Sequence, residues 1–103
     1  MRDNVTLDGV VVALCLDFKR RKNAIENKSF CRRTLMEYKY INERIYEAAA
    51  EIVGEADAEL YINEIGGKIG YAKSDMPWLS EGSYKRNKNE VKRNIAKKLH
   101  LTD

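Results

Sequence analysis

Apolar residues recur along this chain three or four positions apart, the period of a helix that buries one face. Near the N-terminus Leu7, Val10, Val11, Leu14, Phe18 and Ile25 keep that spacing, which predicts one helix through Gly9–Glu26, capped by Thr6 or Asp8. The first four residues are polar and are expected to be loose. Arg21 and Lys22 interrupt the stripe. The three valines Val10, Val11 and Val12 would also suit a short buried strand. The period continues into Phe18, however, and no partner strand is visible, so a helix is predicted.

Asn27-Lys28-Ser29 is a turn signal, after which Ser29 or Thr34 can start a second helix. From Arg32 to Val53 a single stripe holds Leu35, Tyr38, Ile41, Ile45, Ala48, Ala49 and Ile52. Glu37, Lys39, Glu43, Arg44, Glu47 and Glu51 fall outside it, and Gly54 is placed to end the helix. Asp57 is a candidate cap for a third helix, with Ala58, Ile62, Ile65 and Ile69 on one face and Leu60 and Tyr61 flanking. Gly66-Gly67 either ends that helix or lets another helix come close. Ser74-Asp75-Met76-Pro77 is turn chemistry, and Trp78 and Leu79 are expected to pin the loop to the core.

The last helix is the most pointed. Ser80 can cap it, and Leu79 stands where a staple residue packs onto the helix it opens. Tyr84, Val91, Ile95 and Leu99 share one face, with Lys88 among them keeping its charge in water. Gly82, Arg86, Asn89, Arg93 and Lys97 share the opposite face, with Lys85 and Lys92 on its shoulder. The pattern predicts an all-α protein of four main helices with a helix-turn-helix-like C-terminal half. One domain spans residues 1–103, as an N-terminal helical hairpin (1–54) and a helix-turn-helix-like region (55–103).

Charge is segregated within a formal total of +3. Residues 30–60 carry a net −3 and residues 80–103 a net +4, a polarity that would steer an anionic partner to the last helix. Lys19-Arg20-Arg21-Lys22 reads as a solvated helix end or as a phosphate-contacting patch. Tyr38, Tyr40 and Tyr46 read as core or as a stacking platform for bases. Cys15 and Cys31 have no metal-ligand spacing and are expected to be small, partly buried hydrophobes in a reducing cytoplasm, with a disulfide left open. No membrane span or signal-peptide pattern is seen, and neither metal nor cofactor is expected. For catalysis the chain is poor: His100 is its single histidine, and nothing favours convergence of Asp17, Glu64 and Asp75.

A helix, a turn and a capped basic amphipathic helix form the layout of a helix-turn-helix, so the expected partner is double-stranded DNA. Arg86 could pair with guanine and Asn89 with adenine. Lys85, Lys92, Arg93 and Lys97 would hold phosphates, and Gly82 and Ser83 would let the backbone approach one. Ser80, Ser83, Tyr84, Lys85, Arg86, Val91, Ile95, Ala96 and Leu99 resemble the C-terminal signature of phage-encoded transcriptional regulators of the ArpU/RinA type. That resemblance covers the last quarter of the chain. It implies a sigma-factor-like helix-turn-helix with Ser80–Leu99 as recognition helix, acting on phage or prophage genes. The connection from Ile69 to Ser80 is longer than a compact motif has. The rival expectation is a small phage-encoded inhibitor, anti-CRISPR-like, that binds a host protein or nuclease through a charged helical face. A homodimer through residues 32–53 would also suit a regulator reading two half-sites.

Overall fold

The protein is all-α. The computed structural model describes residues 2–101, with side chains from Leu7 onward. Its helices are α1 (Arg2–Leu16), α2 (Phe18–Asn27), α3 (Arg32–Val53), α4 (Glu55–Gly66) and α5 (Glu81–Lys98), with a single 3-10 turn at Tyr71–Lys73. No strand occurs among the described residues, so the valine run is helical. Helices α1 and α2 are the predicted first helix, broken at Asp17; with α3, α4 and α5 they make four main helices. The first helix starts at Arg2, upstream of Thr6 and Asp8, so neither caps it and residues 2–4 are helical rather than loose.

The break has a side-chain cause. Arg21 donates from Nη2 to the Leu14 carbonyl, the acceptor that Phe18 N–H would need to carry the helix through, and an intruding side chain in the ladder bends a helix. Arg21 is only 4% exposed, and its Nε donates to Asn42 Oδ1 at 2.7 Å. Asn42 in turn donates to the Phe18 carbonyl at 3.0 Å, tying α3 to the start of α2. Burial pushes the Arg21 guanidinium below its usual value, with the Asp17 carboxylate opposing that shift. The interruption that Arg21 makes in the apolar stripe is therefore a buried polar tie. Arg21→Met should cost about 2–3 kcal/mol in urea denaturation, because Leu14 O and Asn42 Oδ1 lose their donor. A midpoint equal to that of the wild type would refute the tie.

The rest of the basic tract is also engaged. Arg20 pairs with Asp17 and lies over the Tyr38 ring, while Lys22 reaches Glu59 on α4 at 3.1 Å. These cations stand in α2 just after the break, not at a helix C-terminus, and of the four Lys19 makes no ion pair among the described residues. Lys28, in the left-handed region at φ 51, ends α2. Cys31, not Ser29 or Thr34, occupies the N-cap position of α3. That thiol is exposed and Cys15 is buried, and both are free, so the expectation of two partly buried cysteines holds for neither. Burial pushes the Cys15 thiol up to about 12.

Helix α3 is the centre of the bundle: α2, α4 and α5 pack on it, and α1 crosses α4 and α5. Ile45, Ala48 and Ala49 of its predicted stripe are fully buried, with Leu35, Tyr38, Ile41 and Ile52 half-buried. Tyr40 is exposed, Tyr46 is half-buried, and Val10 of the first stripe faces solvent while Cys15 takes a place in the core. Gly54, at φ 88, makes the corner between α3 and α4, so α4 starts at Glu55 and Asp57 is not its cap. Gly66 serves both of its expected purposes. It is the last residue of α4, and a Cβ there would lie 2.5 Å from the Leu16 backbone nitrogen of α1.

Candidate nucleic-acid interface

Helix α5 starts as the sequence predicts. Ser80 has extended backbone and its Oγ accepts from Ser83 N–H at 3.2 Å; Ser80 Oγ–H also donates to Ser83 Oγ at 3.0 Å. Leu79 packs against a small cluster of Tyr61, Met76 and Tyr84. Met76–Leu79 is a turn closed by Leu79 N–H on the Met76 carbonyl, with Pro77 and Trp78 at its tip. Trp78 is consequently 61% exposed and does not pin the loop, while Met76 is fully buried and does.

The anchor beneath this loop is Glu64 of α4, 4% exposed. Its carboxylate accepts from Tyr84 Oη at 2.6 Å, Ser74 Oγ at 2.7 Å and Asp75 N–H at 2.9 Å. Burial pushes the carboxyl upward, but the bonds from Tyr84, Asp75 and Ser74 outweigh burial and hold it below the usual glutamate value. Burial first, and Glu64 second, push the Tyr84 phenol up to about 12. The carboxylates of Asp17, Glu64 and Asp75 do not converge; Asp75 reaches Glu64 through its backbone N–H alone. Glu64 is a structural hub that composition did not reveal. Its signal was positional, because it lies three residues after Tyr61 on the buried side of α4.

The apolar face of α5 is as predicted, with Tyr84, Val91 and Ile95 buried and Leu99 half-buried, and Ala96 joins them. Lys88 departs from expectation. Its ammonium donates to the Ile69 carbonyl at 2.7 Å and lies 5.1 Å from the Tyr84 ring centroid, so the half-buried charge is tied to the protein rather than left wholly to water. Burial pushes its pKa down accordingly. Lys92 is half-buried and pairs with Asp8 of α1 at 3.0 Å. Lys98 bridges Glu47 and Glu51 of α3 at 3.1 and 2.6 Å, and Asn94 donates to the Ala48 carbonyl and to Glu51. Part of the basic charge of α5 is thus spent on docking it to α1 and α3.

What remains outside is a narrow stripe. Gly82, Arg86, Asn89, Arg93 and Lys97 are all exposed, as the helical spacing predicts. Arg86, Arg93 and Lys97 make no ion pair among the described residues; Lys85, also exposed, pairs with Glu81 at 2.8 Å. From Arg86 to Lys97 the stripe runs about 16 Å along the helix, three turns. Of the seven sequence-predicted contact residues, the structure brings Arg86, Asn89, Arg93 and Lys97 onto one free face. Lys85 sits at the edge, Ser83 is engaged in the cap and Lys92 is held by α1.

Asn89, Arg93 and Lys97 also border an open cleft of about 780 Å³ against Leu7, Asp8 and Val11 of α1. Among the described residues no group of three or more His, Cys, Asp or Glu side chains could hold a metal ion. No helix there is long and apolar enough to cross a membrane. No protein-family model matches the chain, and no curated protein or solved structure is significantly similar to it.

Proposed function

We propose that the protein binds double-stranded DNA through the outer face of α5, as a helix-turn-helix-like regulator of transcription. The observation that carries this reading is the stripe of Arg86, Asn89, Arg93 and Lys97, whose cations are unpaired among the described residues while Lys88, Lys92 and Lys98 are used internally. A helix firmly docked on one side and positive on the other has the form that a major groove admits. Arg86 and Asn89 have side chains suited to base edges, with Arg93, Lys97 and Lys85 on phosphates. The resemblance of Ser80–Leu99 to phage regulators of the ArpU/RinA type supplies the proposed setting, control of phage or prophage genes in the cytoplasm.

The test is a titration of fluorescent random-sequence duplex at several salt concentrations. The wild type should bind with an affinity that falls steeply with salt. The triple variant Arg86→Ala, Arg93→Ala, Lys97→Ala should lower the salt slope by about 2, one unit for each phosphate contact of Arg93 and Lys97, and weaken binding further through Arg86. An absence of binding at low salt, or a slope unchanged in the variant, would overturn the proposal.

A further inference from the structure

The acidic middle of the chain has no part in DNA contact by α5. It folds into a groove of about 780 Å³ between α2, α3 and the first turns of α4, floored by Phe18, Ile25, Tyr46 and Ala50. Glutamates from all three helices line it, and three of them are neutralised internally: Glu59 by Lys22, Glu47 by Arg44 and Lys98, and Glu51 by Lys98. Glu26, Glu43 and Glu55, one from each helix, are exposed and make no ion pair among the described residues. The wall along α3, from Lys39 to Glu51, is about 18 Å long, the span of three helical turns.

We infer that this groove docks a cationic amphipathic helix of a partner protein, apolar side chains on the floor and lysines or arginines against Glu26, Glu43 and Glu55. Helix-in-groove recognition needs an apolar strip with charged edges, and both are present. The lining also holds Lys22 and Arg44, both paired with glutamates, and Lys39, exposed one turn from Glu43. Among the described residues, three free carboxylates against that one free cation leave the groove net negative and disfavour a nucleic acid. The outer stripe of α5 in a second copy is a poor occupant, because it holds Gly82, Arg86, Asn89, Arg93 and Lys97 and has no apolar side chain for the floor. A polyamine would answer the charges and leave the floor in water.

The inference is independent of DNA binding and is tested without DNA. Three probes are titrated into the whole protein by fluorescence anisotropy or calorimetry. They are a synthetic leucine–lysine helix of about four turns, a scrambled peptide of the same composition with no apolar face, and spermine. The amphipathic peptide should bind at one site at least about tenfold more tightly than either control. Glu26→Lys with Glu43→Lys, two exposed positions, should weaken it about tenfold or more with an unchanged melting temperature. Equal binding of the scrambled peptide or spermine would reduce the groove to a polyelectrolyte surface and overturn the inference. So would unchanged affinity in the charge-reversed variant, or no binding of the amphipathic peptide.

Discussion

Glu64→Ala should cost about 3–5 kcal/mol of stability, because it strips one acceptor from three buried or half-buried donors at once. Tyr84 Oη, Ser74 Oγ and Asp75 N–H all converge on that carboxylate, so one substitution removes a shared tie between α5, α4 and the connecting loop. Removing one partner of a buried, hydrogen-bonded charge costs about 3–5 kcal/mol, and Tyr84 Oη retains the Ile69 carbonyl at 3.1 Å, which keeps the loss below the sum of three separate bonds. For a chain of this size such a loss lowers the melting temperature by more than about 10 °C. A drop of only a few degrees would refute the hub.

Its pH dependence has a definite sign. The folded-state carboxyl lies below its ordinary value, because the three donors outweigh burial. The native state therefore binds the proton less readily than the unfolded chain. The stabilisation is complete above the ordinary glutamate range and is lost as pH falls through the depressed folded value. Glu64→Gln should flatten that acid limb of the stability profile. Tyr84→Phe should remove the hydroxyl shared between Glu64 and the Ile69 carbonyl, leave Ser74 and Asp75 on the carboxylate, and lower stability by less than Glu64→Ala.

The elements that sequence made legible are those whose information is periodic. The stripes of α3 and α5 were readable because a buried face repeats every turn, and the same period separated Arg86, Asn89, Arg93 and Lys97 from Tyr84, Val91 and Ile95. The Ser80 cap was readable because its partner, Ser83 N–H, is three residues away. What period cannot supply is the identity of a neighbour from another helix. Lys92 and Arg93 are adjacent cations, yet one meets Asp8 of α1 and the other faces solvent. Lys97 and Lys98 divide in the same way, because only Lys98 reaches Glu47 and Glu51.

The loop misled for a related reason. Tryptophan is the larger apolar residue, but the turn around Pro77 sends Trp78 outward and Met76 inward. Arg21 and Glu64 mark the boundary between legible and hidden. Arg21 stood on the apolar stripe of its helix as a charged residue, the sign of a buried polar tie, whereas Glu64 lay off the predicted face of α4, and only the fold could name the partners of either.

Glycine substitutions should divide by sign, and Gly66→Ala is the costly one. In a helix, alanine ordinarily gains about 1 kcal/mol over glycine. At Gly66 the added Cβ would lie 2.5 Å from Leu16 N and 2.7 Å from Cys15 C and Leu16 Cα. Those atoms are backbone, so relief requires α1 to move off α4, not a rotamer change. Overpacking of that kind costs about 1–3 kcal/mol or more, beyond the helical gain. Gly66→Ala is expected to destabilise by about 2 kcal/mol net. Gly9→Ala, inside α1 with nothing within 4 Å of its Cβ, should stabilise by up to about 1 kcal/mol. Measured side by side in urea, the two variants should shift the midpoint in opposite directions, and a shared sign would refute the close contact. Displacing α1 would also strain the Asp8–Lys92 pair that holds one flank of α5. The Gly66 variant should therefore weaken the proposed DNA binding at temperatures where Gly9→Ala leaves it intact.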